Sequence, residues 1–328
     1  MITLTDPTDQ KMIAAPKLKL SIVLGTYNRL ENLTACLNSL LGKISIPHQV
    51  VVADAGSTDG SIAYVQTHPS VVLIQDGDRL GQAKSLNQVF RKIQSEYVCW
   101  ISDDNIVVAD ELERAVATMD NNPSIGMLSL KVKDIAGRYV NAAYLGGIWS
   151  STGVLNVNQG LVRLSILQSV DYFDEEFRDY GIDADLTTKI LLAGHQIAYT
   201  KNVVILHNRD YELAPGAIGE GDRTPKMERA KRLYEKKYLA TFKKLRRTRW
   251  QHFGFVVKLI YKTFQIVKYL LGRPSPGLFR FNDRDWYNVM HGAYIDKRDL
   301  WLNYKNDFYL VQQIHGASNL NIESEQNS

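Results

Sequence analysis

Four segments of the chain set carboxylates and small polar residues directly after apolar runs, and these are the places where chemistry could be done. Ser102-Asp103-Asp104-Asn105 follows the apolar run Tyr97 to Ile101. Adjacent carboxylates repel, and at the end of a buried strand they need a cation nearby. Oxygen ligands suit Mg²⁺ or Mn²⁺, and such an ion bridges the two phosphates of a diphosphate and neutralises charge growing on a leaving group. The alternative is a solvated Asp pair capping a helix. In Ala53-Asp-Ala-Gly-Ser-Thr-Asp-Gly60, the carboxylate of Asp54 can accept hydrogen bonds from a base or ribose, Gly56 and Gly60 permit tight turns, and Asp59 reads as a helix cap. Gly25-Thr-Tyr-Asn-Arg29 offers backbone N–H groups and an aromatic ring to a nucleotide, in a loop that equally suits an ordinary strand-to-helix turn. Asp183 and Asp185 open a helix after Tyr180-Gly-Ile182; one suits a general base and the other an N-cap, and spacing does not choose between them.

The elements that must position these residues alternate regularly. Leu20 to Leu24, Val50 to Val52, Val71 to Ile74 and Tyr97 to Ile101 are short apolar runs, each followed by a helical pattern. The last of these helices is predicted to be capped by Asp110, with Glu113 three residues on. Four such units imply an α/β fold with a doubly wound, mostly parallel sheet, in which ligands gather beyond the carboxyl ends of the strands. Gly146 to Gly160 reads as loops around a pocket, Asp183 to Leu192 as a helix, and Gln196 to Tyr199 and Val203 to Leu206 as short strands ending at His207.

With 328 residues and 45% hydrophobic content, the chain can bury a sizeable core. Cys36 and Cys99 lie far apart in no metal or CxxC spacing, so a disulfide framework or zinc site is not expected, and a buried thiol in a reducing cytosol is. No apolar run of 18 or more residues suggests a transmembrane helix. The net charge of +4 conceals an asymmetry: Lys226 to Arg249 holds eleven Lys and Arg against Glu228 and Glu235, a local +9. The next stretch, Gln251 to Leu271, reads as an amphipathic helix with Phe253, Val256, Val257, Ile260, Phe264, Val267 and Leu271 on one stripe and Lys258, Lys262 and Gln265 on another face. A basic segment beside such a helix fits an anionic membrane surface, a solvated charged helix being the plain alternative. No nucleic-acid-binding signature is present.

Thr26-Tyr-Asn-Arg29, Asp54 with Gly56 to Gly60, Gly81 with Asn87, Ser102-Asp-Asp104, Phe173-Asp-Glu175 and Gly181 to Leu186 follow the order of motifs in glycosyltransferase family 2 over about residues 19 to 210, and the chain resembles that family of inverting enzymes. The resemblance implies a GT-A, Rossmann-like fold and a metal-dependent transfer from a nucleotide sugar, usually of UDP, with Mn²⁺ or Mg²⁺ as cofactor. It implies Asp183 as catalytic base, Asp104 and His207 as metal ligands, and Thr26, Tyr27, Arg29, Asp54, Arg79, Gly81, Asn87 and Asp103 around the donor. Ser102 departs from the first acid of the family's Asp-x-Asp, Ile182 from the Glu that usually precedes the base, and Arg79 from a frequent Asn. The expected organisation is a leader over 1–18, the glycosyltransferase domain over 19–223, a basic and amphipathic helical C-terminal region over 224–317 and a disordered tail over 318–328. The expected setting is bacterial-type polysaccharide or glycolipid synthesis with a saccharide or lipid-linked acceptor, in the cytoplasm at the inner face of the membrane. A sugar nucleotidyltransferase and an inactive scaffold of the same fold are the competing readings.

Overall fold

Alternation along the strands decides the layering. The computed structural model describes residues 18–136, 143–149, 151–208, 220–247, 263, 294–295 and 308–314. In β1 (Leu20–Thr26), Leu20, Ile22 and Leu24 join one core with Leu33, Cys36, Leu37 and Leu40 of α1 (Leu30–Leu40), whereas Val23 joins the other. The same split runs through β2 (His48–Asp54), where Val50 and Val52 face the first core and Val51 and Ala53 the second. A strand apolar on both sides needs cover on both, which is why these runs read as continuous hydrophobic segments. Each buried Val, Leu or Ile contributes about 1.5–3 kcal/mol relative to exposure.

After α2 (Ser61–Gln66), β3 (Val71–Gln75) and α3 (Gln82–Phe90) come β4 (Tyr97–Ser102), β5 (Asn105–Val107), α4 (Ala109–Asn121) and β6 (Ile125–Asp134). Then follow β7 (Ala143–Tyr144), β8 (Ile148–Trp149), β9 (Val154–Leu155), β10 (Gly160–Arg163), α5 (Leu164–Ser169), a 3₁₀ turn at Glu175–Phe177, α6 (Ile182–Leu192), β11 (Gln196–His207), α7 (Glu220–Arg247) and β12 (Phe308–Gln312). The main sheet runs β12-β11-β6-β10-β4-β1-β2-β3. Strands β3, β2, β1 and β4 are mutually parallel, as are β6 and β11. Helices α1 and α4 cover one face, and α3, α5, α6 and α7 the other. This is the doubly wound, mostly parallel α/β sheet expected from the sequence.

Several local expectations are corrected. Gly146 to Gly160 is not loop throughout: β8 pairs with β9 as a hairpin, and Gly160 opens β10, which lies antiparallel between β4 and β6 in the middle of the sheet. The two short strands before His207 are one, β11, with register shifts between Tyr199 and Val203 where the chain slips against β6. Helix α4 starts two residues earlier than the Asp110 cap requires, after an extended Val108 without a side-chain cap. Glu113 reaches across to Ser45 and the backbone of Ile46 instead, so the capping box is replaced by a tertiary contact.

Helix α7 is amphipathic. Ala230, Tyr234, Tyr238 and Phe242 recur every fourth residue and are buried. Lys226, Arg229, Lys231, Arg232, Lys236, Lys243 and Lys244 are exposed. Strand β12, from the last fifty residues, pairs antiparallel with β11 at the sheet edge. Among the described residues no helix is long and apolar enough to cross a membrane. The predicted leader (apart from Leu18), the amphipathic helix of 251–271 (apart from Thr263) and the tail of 318–328 lie outside the described residues.

Candidate active site

Strand register brings the carboxylates to one edge. Thr26 ends β1 opposite Asp54 of β2, and Gly25 sits opposite Ser102 of β4. The connection from β1 to β2 runs one way while β4 flanks the other side, so the carboxyl ends of these strands frame a crevice at a point where the chain order reverses.

Asp54 is 1% exposed. Its Oδ1 accepts the N–H groups of Gly56 (2.9 Å) and Ser57 (2.7 Å), while Oδ2 is buried without a hydrogen-bond partner. A buried acceptor left open costs about 1–3 kcal/mol, which a ligand donor recovers. Asp59 does cap, and across two helices: Oδ1 accepts Ser61 N–H at 3.0 Å and Oδ2 accepts Leu30 N–H at 2.8 Å. Against the opposing effect of desolvation, these bonds hold its carboxyl below the usual range.

Asp103 and Asp104 do find a cation, and it belongs to the protein. Arg29 Nη1 lies 2.8 Å from Asp103 Oδ1 and 3.2 Å from Asp104 Oδ2, and Thr26 Oγ1 donates to Asp103 Oδ2 at 2.9 Å. Beside them, Arg79 stacks on the ring of Tyr27 at 4.6 Å, and Tyr27 is 37% exposed. On the far side of Asp104, His207 Nε2 stands 3.5 Å from Oδ2. Its Nδ1 lies 3.0 Å from buried Asp134 Oδ1, with Tyr144 OH 3.4 Å away. The sheet dictates this group, because His207 pairs with Asn105 of β5 on one side and Asp134 of β6 on the other. Burial acts to raise the Asp104 pKa, but His207 and Arg29 outweigh it and hold the carboxyl below its ordinary value.

Among the described residues, no three His, Cys, Asp or Glu side chains are gathered to hold a metal by themselves. Asp104 and His207 nevertheless fit a divalent cation. They present a carboxylate oxygen and an imidazole nitrogen to one another at ligand spacing, the other ring nitrogen is fixed by an acid, and Mg²⁺-type sites take most remaining ligands from water and substrate phosphate.

Asp183 lies in the first turn of α6, which begins at Gly181 with no side-chain cap, so neither Asp183 nor Asp185 is the N-cap expected for one of them. Burial raises the Asp183 pKa, opposed by a hydrogen bond from Asn156 and by N–H groups of Ala184 and Asp183 itself. Asp185 is 0% exposed and anchors α7: its Oδ1 accepts Lys237 Nζ at 2.5 Å and Tyr238 OH at 2.6 Å. Lys237 also reaches Asp174 at 2.6 Å.

Asn87 is turned inward. It is 0% exposed, and its amide binds the backbone of Phe173 at both ends (2.9 and 3.1 Å) and Glu175 Oε1 at 3.1 Å. Gly81, with φ +93°, lies under Arg178, where any Cβ would overlap the Arg178 side chain; Arg178 Nη2 in turn donates to the Arg79 carbonyl at 3.0 Å. These two residues fix the 173–179 loop against α3. Asp134 and Asn156 were missed by sequence reasoning, although Asp134 carried the same signal as Asp54, an acid closing an apolar strand.

Fold and site together define a doubly wound α/β domain with acidic strand ends. The family model described as Glycosyl transferase family 2 matches residues 21–149. It is 26% identical over 218 residues to poly(ribitol-phosphate) beta-N-acetylglucosaminyltransferase TarS of Staphylococcus aureus, covering 62% of this chain and 36% of that protein. It is 27% identical over 233 residues to N-acetylglucosaminyl-diphospho-decaprenol L-rhamnosyltransferase of Mycobacterium tuberculosis, covering 58% of this chain and 76% of the relative. The match to TarS thus spans little more than a third of that relative's length. Among solved structures, S. aureus TarS 1–349 in complex with UDP-GlcNAc is similar at TM-score 0.49 and 23% identity, over 58% of this chain and 59% of that one. The mannosyltransferase PcManGT from Pyrobaculum calidifontis, in complex with GDP-Man and Mn²⁺, is similar at TM-score 0.47 and 22% identity, over 62% and 58%.

Proposed function

We propose that this chain is a metal-dependent, inverting glycosyltransferase that moves a sugar from a nucleoside diphosphate, UDP by preference, to the hydroxyl of a lipid-linked saccharide. The observation that carries it is the strand-end group of Asp103, Asp104 and His207 beside the open, buried oxygen of Asp54. In this reading Asp54 Oδ2 takes an N–H of the base, Asp103 the ribose, and Tyr27 with Arg79 lines the path of the diphosphate. Asp104 and His207 would hold Mn²⁺ or Mg²⁺, which when bound would supply charge neutralisation for the diphosphate leaving group. Asp183 takes the proton from the acceptor hydroxyl as that oxygen attacks the anomeric carbon from the opposite side, giving inversion. A raised pKa suits a group that must both accept a proton and part with it.

Both curated relatives carry acceptors with phosphate in their names, one of them on a decaprenol lipid. The exposed basic face of α7 supports the same kind of setting here, an anionic membrane surface where each nearby Lys or Arg contributes about 1 kcal/mol. Co-flotation with anionic liposomes at low salt is expected, and protein that stays at the bottom of the gradient removes the membrane from the proposal.

Thermal shift against a panel of nucleotide sugars with Mn²⁺ tests the donor site. A ligand at a hundredfold excess over Kd stabilises by about 2.7 kcal/mol. The shift is expected to need Mn²⁺ and to vanish in Asp104→Asn. Release of UDP from the selected donor, rather than pyrophosphate from a nucleoside triphosphate and sugar phosphate, separates this reading from a nucleotidyltransferase, and binding without turnover from a scaffold.

A further inference from the structure

Asn156 lies at the foot of the β8–β9 hairpin, 5% exposed, with its whole amide committed. Its Oδ1 accepts Gly147 N–H, its backbone N–H donates to the Gly147 carbonyl at 2.9 Å, and its Nδ2 donates both to Asn158 Oδ1 at 2.7 Å and to Asp183 Oδ2. An amide whose oxygen already receives an N–H cannot be turned over, so only the donor end can face Asp183. Gly146 packs against the Asn156 carbonyl where any Cβ would overlap it.

The hairpin above this foot is immobilised from three sides. Tyr234 of α7 stacks on Trp149 at 4.4 Å, and its hydroxyl links Thr152 (2.9 Å) to Thr188 of α6 (2.7 Å). Gln312 of β12 brackets Leu155, accepting its N–H at 2.8 Å and donating to its carbonyl at 2.9 Å. The donor of Asn156 is therefore fixed relative to α6.

We propose that Asn156 is the positioning residue of the Asp183 base: it holds one carboxylate oxygen and leaves the other to take the proton of the acceptor. This rests on the base role proposed above for Asp183. A donor to a carboxylate favours its ionised form, and here it opposes the desolvation that acts on the same group. Asn156 thus sets both the aim of the base and the pH at which it becomes available.

The test reads Asp183 directly. Protein labelled with ¹³C at the aspartate carboxyls is titrated by NMR, the Asp183 resonance being the one lost in Asp183→Asn. In Asn156→Ser its midpoint is expected to rise by about one pH unit, equivalent to a tenfold change in proton affinity. With UDP-GlcNAc and Mn²⁺, water serving as acceptor, the acid limb of UDP release moves by the same amount while the donor KM stays within about twofold. Should Asn156→Ser fail to fold, Asn156→Asp keeps the acceptor for Gly147 N–H and sets a like charge beside Asp183, raising the midpoint further. An unmoved Asp183 titration in a folded variant overturns the proposal. The two readings fail separately: persistent turnover in Asp183→Asn removes the base, whereas an inactive Asp183→Asn with an unmoved titration in the Asn156 variant removes only the role of Asn156.

Discussion

On the proposed donor side, every acidic group sits at or just past the end of a strand, and most contacts close within the first 104 residues: Thr26 and Arg29 on Asp103, Arg29 on Asp104, Asp54 on its own loop. On the proposed acceptor side, Asp183 is held by Asn156, the hairpin that carries Asn156 is held by Tyr234 and Gln312, and the helix of Asp183 is held through Asp185 by Lys237 and Tyr238. The first half joins the ends of neighbouring strands, whereas the second is assembled from four distant stretches. The first can be varied by changing a loop, whereas a change in the second passes through packed side chains to reach the base.

The largest expected effect separates the halves outright. Asp183→Asn is expected to lower turnover by on the order of 10²–10⁴-fold while donor affinity, measured by calorimetry with Mn²⁺, stays within about twofold. A matching loss of donor binding would merge the two halves into one unit. Next in size, Tyr238→Phe removes a hydroxyl from buried Asp185 and is expected to cost about 1–3 kcal/mol in denaturant unfolding. Donor binding in the folded variant stays as in the wild type, and a weakened donor site there would break the division.

The smallest effect is an offset in pH. Asp104 is held below and Asp183 above the ordinary carboxylate value of 3.8. As pH falls, Asp183 is protonated first, so turnover declines while the donor site keeps its charge. The stability that Asp104 contributes is present above 3.8 and is lost only as pH drops through its lower folded value. Binding and turnover measured down to pH 4 are expected to part in that order, and a simultaneous decline would sink it.

The same contrast governs what could be read from the sequence. Asp54, Asp103 and Asp104 were legible because a polar strand end in a doubly wound sheet is local information. Helix α6 was found within one residue of its start, but the partner of Asp183 was not, since Asn156 has neither the type nor the spacing of a functional residue until the β8–β9 hairpin folds it back. The antiparallel insertion of β10 was hidden for the same reason: Gly160 to Arg163 is too short to announce a central strand. The bonds that Asn87 makes to the Phe173 backbone were not legible either, because a buried amide looks the same in sequence whatever it binds.

The bracket that Gln312 places on Leu155 spans 157 residues of chain. The residues of the Arg29, Asp103 and Asp104 group are all made just past the end of β4, and His207 joins them with β11, still well before Gln312. The hairpin under Asn156 waits for nearly the last residues described. Non-local pairings of this kind form late, because loop closure must precede any gain from the contact. The contact that fixes the hairpin of Asn156 is therefore among the last that a growing chain can make.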